Sequence, residues 1–362
     1  MKAITRIDGY ILLKYLKTFL LAMALIIVIV ITFDVSEKLD DFLGNHAPLS
    51  AVVFDYYLNF IPEFVNMYSP LFIFISVIFF TSKMAGNTEI IAILGSGISY
   101  RRMLRPYMYG SLLVALIVLI LGNFVIPVSN RTKVEFDNAY IHTHRQSYYS
   151  NIHLQPEKGV QIYAESYDAR VNRAVRFHRD EYDEQRRLRE RITCNSITYD
   201  SVLQEWKCLG VCWHTIDGQH ETLERSEIMF ADLGITPYDF DKASRRIETM
   251  NSIQLYHHIG KERLRGSNAV VEALIELYQR LLNPLSIIVM TFIGVGVSSR
   301  KSRGGIGLNL AIGITLAFAL IVFMKVSTVF AVNGSLPPFL AVLLPQAVFG
   351  LIAAQVIYTA PK

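Results

Sequence analysis

Apolar residues gather into six long runs instead of spreading along the 362-residue chain. A membrane-crossing helix needs about 20 largely apolar residues and tolerates charges near its ends. Residues 10–33 meet that need, with Lys14 and Lys17 near the start and Asp34 closing the run. Its basic start resembles a secretion signal. The core is long and β-branched, however, and Phe33-Asp34-Val35 follows it in place of a small-residue cleavage site, so a retained helix is expected. The second run, 49–81, exceeds one straight span. Asp55, Glu63, Pro62 and Pro70 lie in it, and 67–80 is expected to cross the membrane core. The third, 106–126, is expected to stop at Pro127. The runs 273–297 (with an internal Asn283-Pro284), 305–330 and 339–358 complete two groups of three.

Residues 129–266, between the groups, have a different pattern. Short alternating runs such as Val160-Gln161-Ile162-Tyr163-Ala164, Ala174-Val175-Arg176-Phe177-His178 and 191–199 recur roughly every ten residues, separated by charged turns. This spacing predicts an all-β sandwich, barrel or jelly roll. The charged run 179–191 mixes signs, which argues against phosphate binding and for a solvated hairpin tip or face. All three cysteines lie here. Cys194 and Cys208 are nearly symmetric about Asp200-Ser201, a spacing that permits a cross-strand bridge, while Cys208 and Cys212 share one strand.

Composition sharpens this division. The chain is 52% hydrophobic and 18% charged, with net charge +4 and mean hydropathy +0.33. Those values exclude a disordered chain, a disulfide-rich module and a dedicated nucleic-acid binder. The insert holds 20 Lys+Arg and 21 Asp+Glu, so the excess positive charge belongs to the membrane segments. Lys2, Arg6, Lys14, Lys17, Lys83, Arg101, Arg102, Arg105, Arg300, Lys301, Arg303 and Lys362 all fall on one side of the six-span topology. The other side, outside the insert, carries mainly Asp34, Glu37, Lys38, Asp40, Asp41, Asp55 and Glu63. The positive-inside rule then puts both termini in the cytoplasm and residues 129–266 in the opposite compartment, in a bacterium the periplasm or the exterior.

Chemistry-bearing motifs are sparse. No phosphate-binding loop is present, and Gly95-Ser96-Gly97 lacks the lysine such a loop needs. His142, His144 and His257-His258 have no supporting carboxylate or thiol framework, so surface histidines are the expectation, with no metal, cofactor or catalytic residue assigned. Glu272, Glu276 and Arg280 recur every four residues, as in a structural ion-pair ladder. The informative segment joins spans two and three. Asn87 or Thr88 is placed to cap a short helix that has Glu89 in its first turn. Ile90, Ile91, Ile93 and Leu94 form its apolar stripe, and Gly95-Ser96-Gly97 ends it. Such a helix needs cover, from the membrane interface or from the groove of a cytosolic partner.

Residues 87–106, Asn-Thr-Glu-Ile-Ile-Ala-Ile-Leu-Gly-Ser-Gly-Ile-Ser-Tyr-Arg-Arg-Met-Leu-Arg-Pro, resemble the LptF/LptG permease family of lipopolysaccharide exporters. Also similar are Ile7-Asp8-Gly9-Tyr10-Ile11, the helix 276–285, the hairpin 194–206 and the approach 248–252. The resemblance implies a membrane α-helical protein of six spans (3+3) with an inserted periplasmic β-jellyroll. Residues 1–128 would hold spans one to three with a coupling helix near 87–97, residues 129–266 the jellyroll, and residues 267–362 spans four to six. It implies a cytosolic ABC ATPase dimer, a second permease of the same type and a periplasmic jelly-roll bridge protein as partners. Lipopolysaccharide would be the cargo, squeezed from the inner membrane toward the jellyroll. Glu89, Ile90, Ile93, Leu94, Arg101 and Arg102 would form the ATPase-coupling set.

An anionic glycolipid also requires cations near the outer membrane surface, for which Lys38, Arg131 and Lys325 are the candidates. Lys325 stands out because it interrupts an apolar span. Two other readings compete: a permease that transmits force to a periplasmic partner without transport, and a membrane-anchored periplasmic hydrolase. Six spans oppose the first, and the lack of a triad or metal cluster opposes the second.

Overall fold

The computed structural model describes residues 6–141, 148–169, 171–201, 203–217, 220–240, 247–265, 269–299 and 305–359. His142, His144, Gly266 and the basic residues Lys2, Arg300, Lys301, Arg303 and Lys362 lie outside the described residues. The chain divides into two compact units. One comprises Met1–Asp40, Pro48–Lys133 and Leu274–Lys362, and the other Asp41–Ala47 and Val134–Ala273.

The first unit is built on six helices long and apolar enough to cross a membrane. They are α1 (Arg6–Gly44), α2 (Leu49–Gly86), α4 (Tyr100–Ile141), α6 (Ala269–Ser298), α7 (Gly305–Val332) and α8 (Pro338–Thr359). The short α3 (Glu89–Gly95) joins α2 to α4; α5 (Ser252–Arg265), which precedes α6 in the chain, belongs to the second unit. In α1, Ile11, Tyr15, Phe19 and Met23 recur every four residues and are buried, forming its inward stripe. They join Ile73, Val77, Phe80, Met84, Tyr107 and Ile287 in one core. Lipid offers helices no hydrophobic drive to associate, so close packing and internal hydrogen bonds carry the contact. A Cβ at Gly313 would stand 2.2 Å from Ile78, and one at Gly296 2.3 Å from Val356. The Tyr15 and Thr291 hydroxyls lie 3.0 Å apart, as do those of Thr81 and Tyr107, and Asn309 Nδ2 donates to Ser82 Oγ at 3.1 Å.

Two helix ends differ from expectation. The α1 helix does not close at Asp34 but continues to Gly44, because Lys38 Nζ and the Tyr57 hydroxyl donate to that carboxylate at 2.8 and 3.0 Å. Pro127 does not stop α4 either. A wide π turn at Leu121–Val125 lies immediately before it, so the helix resumes at Ile126 without the clash that a proline makes with the carbonyl four residues back. The polar stretch after 129 therefore begins as helix and not as β-structure.

The second unit holds a six-stranded antiparallel sheet in sequential order: β1 (Tyr148–Leu154), β2 (Val160–Asp168), β3 (Arg173–Tyr182), β4 (Leu188–Asp200), β5 (Glu205–Asp217) and β6 (His220–Ala231). It fits the expected jelly-roll-like inserted domain. The charged run 179–191 is the β3–β4 hairpin. Asp183 accepts there from the backbone N–H groups of Gln185 and Arg187, each at 2.8 Å, and Arg191 grips Asp180 with two contacts of 2.6 Å. One face buries Ile162, Ala164, Phe177, Ile192, Cys194, Trp206, Cys208 and Val211. Leu233, Ile235 and Phe240 from the chain after β6 cover one end of it. Phe240 stacks on Tyr167 at 4.2 Å, and Trp206 Nε1 donates to the Ile235 carbonyl at 2.8 Å.

Side chains alternate strictly along a flat strand, yet here Ile192 and Cys194, then Ile197, are all buried on one face. The β4–β5 register is the same on both sides of this point (Thr193↔Cys212, Ser196↔Leu209), so both strands change face together. Gly210, at φ +64, permits the change, and a Cβ there would meet Asn195 Nδ2 at 2.3 Å. The three thiols are free. Cys194 and Cys208 are buried, and the neighbouring Cys208 thiol, together with burial, pushes the Cys194 pKa up. Gly210→Ala should destabilise this domain by about 1–2 kcal/mol through its left-handed backbone. The only two tryptophans in the chain, Trp206 and Trp213, both sit on β5, so intrinsic fluorescence during urea unfolding checks this domain selectively.

Candidate coupling site and lipid-facing cations

The α2–α3 junction turns through Thr88, whose φ of 61° is left-handed. Its hydroxyl donates to the Asn87 carbonyl at 2.6 Å and does not cap α3, contrary to the expected capping. Glu89 does stand in the first turn of α3. Its carboxylate accepts from the Tyr10 hydroxyl at 2.9 Å and from Lys14 Nζ at 3.1 and 3.4 Å, with Asn87 Nδ2 at 3.4 Å. Partial burial pushes the Glu89 carboxyl upward. The hydrogen bonds from Tyr10, Lys14 and Asn87, with the Lys14 charge, outweigh this and leave it below the ordinary carboxylate range.

The apolar stripe of α3 divides between two roles. Ile90 is 3% exposed and packs into the membrane-unit core, whereas Ile91 is 61% exposed. Ile93 and Leu94 are half-buried against the same core. Past Gly97 (φ +85), Arg102 reaches back to Asp8 on α1 with two parallel contacts of 2.6 Å, while Arg101 and Arg105 are exposed. Of the six residues expected to couple, Ile90 is thus turned inward and Arg102 is committed to Asp8. Ile91 is the apolar side chain left on the surface.

Another polar cluster lies farther along the same unit. Lys38 donates to Asp34 and to the Tyr56 hydroxyl and sits 4.6 Å from the Tyr56 ring centre. Lys133 Nζ pairs with Glu63 at 2.9 Å and rests 5.4 Å from the Phe60 ring centre. Tyr56, Phe60, Phe64 and Tyr68 follow one another every four residues on α2, with ring centres 6.3, 5.8 and 4.6 Å apart.

The family model described as lipopolysaccharide export system permease LptF/LptG matches residues 9–359. The chain belongs to this family. LptF/LptG proteins are permease transport subunits, not enzymes, and the six apolar helices agree with an integral inner-membrane protein. No curated protein matches the chain.

Within this LptF/LptG chain the three expected lipid-facing cations are not equivalent. Lys38 already has Asp34 as counter-ion, so its charge is answered inside the chain. Arg131 and Lys325 are exposed, and neither makes an ion pair among the described residues. Arg280 Nε donates to Glu276 at 2.8 Å with the Arg280 side chain nearly buried, as a structural pair does. His257 is exposed on α5. Lys133 and the aromatic column on α2 escaped sequence reading, although the four-residue spacing of Tyr56, Phe60, Phe64 and Tyr68 was visible. Ile90→Ala should cost about 2–4 kcal/mol, as a buried truncation does, and Ile91→Ala no more than about 0.5 kcal/mol. Thermal unfolding of the detergent-purified chain measures the difference.

Proposed function

We propose that this chain is a membrane subunit of an ATP-driven lipopolysaccharide exporter, with α3 as the helix that docks into a cytosolic ABC ATPase. Both termini face the cytoplasm, and the β-domain receives lipopolysaccharide in the periplasm for transfer to a jelly-roll bridge protein. A second LptF/LptG-type permease completes the membrane part. The observation that carries the reading is α3 itself. A seven-residue apolar helix stands between two spans with Ile91 bare, seated by Ile90 and flanked by the exposed cations Lys83, Arg101 and Arg105. An apolar knob in a basic surround suits a protein groove with an acidic rim. The chain has no phosphate-binding loop, which agrees with ATP hydrolysis in a separate subunit.

On this reading, Ile91→Asp leaves folding intact but abolishes co-elution with the ATPase. Co-elution at the wild-type level would reject α3 as the docking element. The exposed cations Arg131 and Lys325 are the better placed to meet lipid phosphates, since Lys38 is neutralised. Photo-crosslinkers at 131 and 325 should capture lipopolysaccharide more efficiently than one at 38. Capture only at 38, or at none of the three, would overturn that assignment.

A further inference from the structure

We propose that the first turns of α1 form a clamp on α3, so that Asp8, Tyr10 and Lys14 carry the movement of the docking helix into α1. This rests on the reading of α3 as the docking helix. It adds which span receives the motion and which residues transmit it.

The contacts bracket α3. At its start, Glu89 is held by Tyr10 and Lys14, and the Lys14 ammonium lies 4.3 Å from the Tyr10 ring centre. Beyond its end, in the first turn of α4, Arg102 grips Asp8 through Nη1 and Nη2. Between these polar ties, Ile11 and Tyr15 of α1 share one apolar cluster with Ile90, Tyr100 and Met103. The Asp8 side chain is 5% exposed and that of Arg102 26%. A carboxylate so buried is expensive to strand, which makes the bidentate pair hard to break during a movement.

The rest of α1 is held differently. Leu20, Leu21, Leu25, Val28 and Phe33 are exposed; Tyr15, bonded to Thr291, and Phe19 and Met23 pack inward, and past them the next polar tie to another helix lies at Asp34, with Tyr57. The helix is therefore fixed by polar ties at its foot and near Asp34, with mostly exposed side chains and a single apolar inward stripe between them. Displacing α3 pulls on the foot, while past Tyr15 the middle is held by the apolar contacts of its inward stripe and, among the described residues, by no polar tie to another helix before Asp34. A lipid-facing helix with this distribution of contacts can swing, whereas α6, far more buried along its length, cannot do so without opening the core.

Spin labels at the exposed positions Leu13 and Ser96 report the α1–α3 distance, and labels at Leu13 and Leu308 report α1 against α7. In the purified chain alone, the combination Asp8→Asn, Tyr10→Phe and Lys14→Met should broaden the Leu13–Ser96 distance distribution. An unchanged narrow distribution overturns the clamp without any reference to the ATPase. Co-elution, scored first, tests the docking reading separately. In the assembled complex, the Leu13–Ser96 distance should stay fixed through the nucleotide cycle while Leu13–Leu308 changes; the reverse pattern overturns the proposal. Asp8→Asn should lower lipid released per ATP by about tenfold, the scale expected for one lost charge-assisted contact, with hydrolysis retained. The charge exchange Asp8→Arg with Arg102→Asp should recover coupling, and wild-type coupling in the single variant would also overturn the clamp.

Discussion

A carboxylate cannot stay charged inside an apolar helix packing unless a cation meets it there, and Asp8 is such a carboxylate. Its bidentate pairing with Arg102 ties together the start of α1 and the start of α4, which are 94 residues apart in the chain. The position of α3 follows from that tie. The loop that carries it leaves α2 at Gly86 and enters α4 at Tyr100, so fixing Arg102 fixes one end of the loop, and Glu89 fixes the other. Ile90 then enters the core and Ile91 is turned outward. A surface side chain obtains its orientation from an ion pair some dozen residues away.

The same rule operates near Asp34 and in the β-domain. Asp34 remains inside a continuing helix because Lys38 and Tyr57 reach it, and Glu63 because Lys133 does. Asp180, buried on the sheet, is gripped by Arg191 through Nε and Nη2, a side-on counterpart of the end-on grip of Arg102 on Asp8. The buried carboxylates Asp8 and Asp180 and the half-buried Asp34 are thus each matched by a cation of the same chain. The cations of greatest interest for an anionic lipid, Arg131 and Lys325, are consequently those without such a match among the described residues.

The six spans were legible because twenty-residue apolar runs have few other uses, and the inserted sheet because its alternation recurs at strand length. What escaped reading depended on geometry that spacing alone does not carry. The apolar run Ile90-Ile91-Ala92-Ile93-Leu94 announces a helix but does not say which of Ile90 and Ile91 faces the core. Pro127 reads as a stop until the wide turn before it is seen. Lys38 reads as a lone cation in an acidic neighbourhood, whereas an i,i+4 step onto Asp34 consumes it. At Gly210 the alternation of β5 breaks, and only the matching break at Asn195 on β4 explains why the register survives.

The π turn at Leu121–Val125 also sets the direction of everything after it in α4. Such a turn accommodates one residue more than the surrounding helix, and one residue corresponds to about 100° of rotation and 1.5 Å of rise. The helical face that reads toward the core before Leu121 is therefore offset from the one that does so after Ile126. Arg131 and Lys133 owe their headings to this extra residue, one outward to open surface and the other onto Glu63. Chain length within a single turn thus decides which cation stays bare. Relatives that gain or lose one residue here would present a different charge to the lipid while keeping the same sequence of side chains.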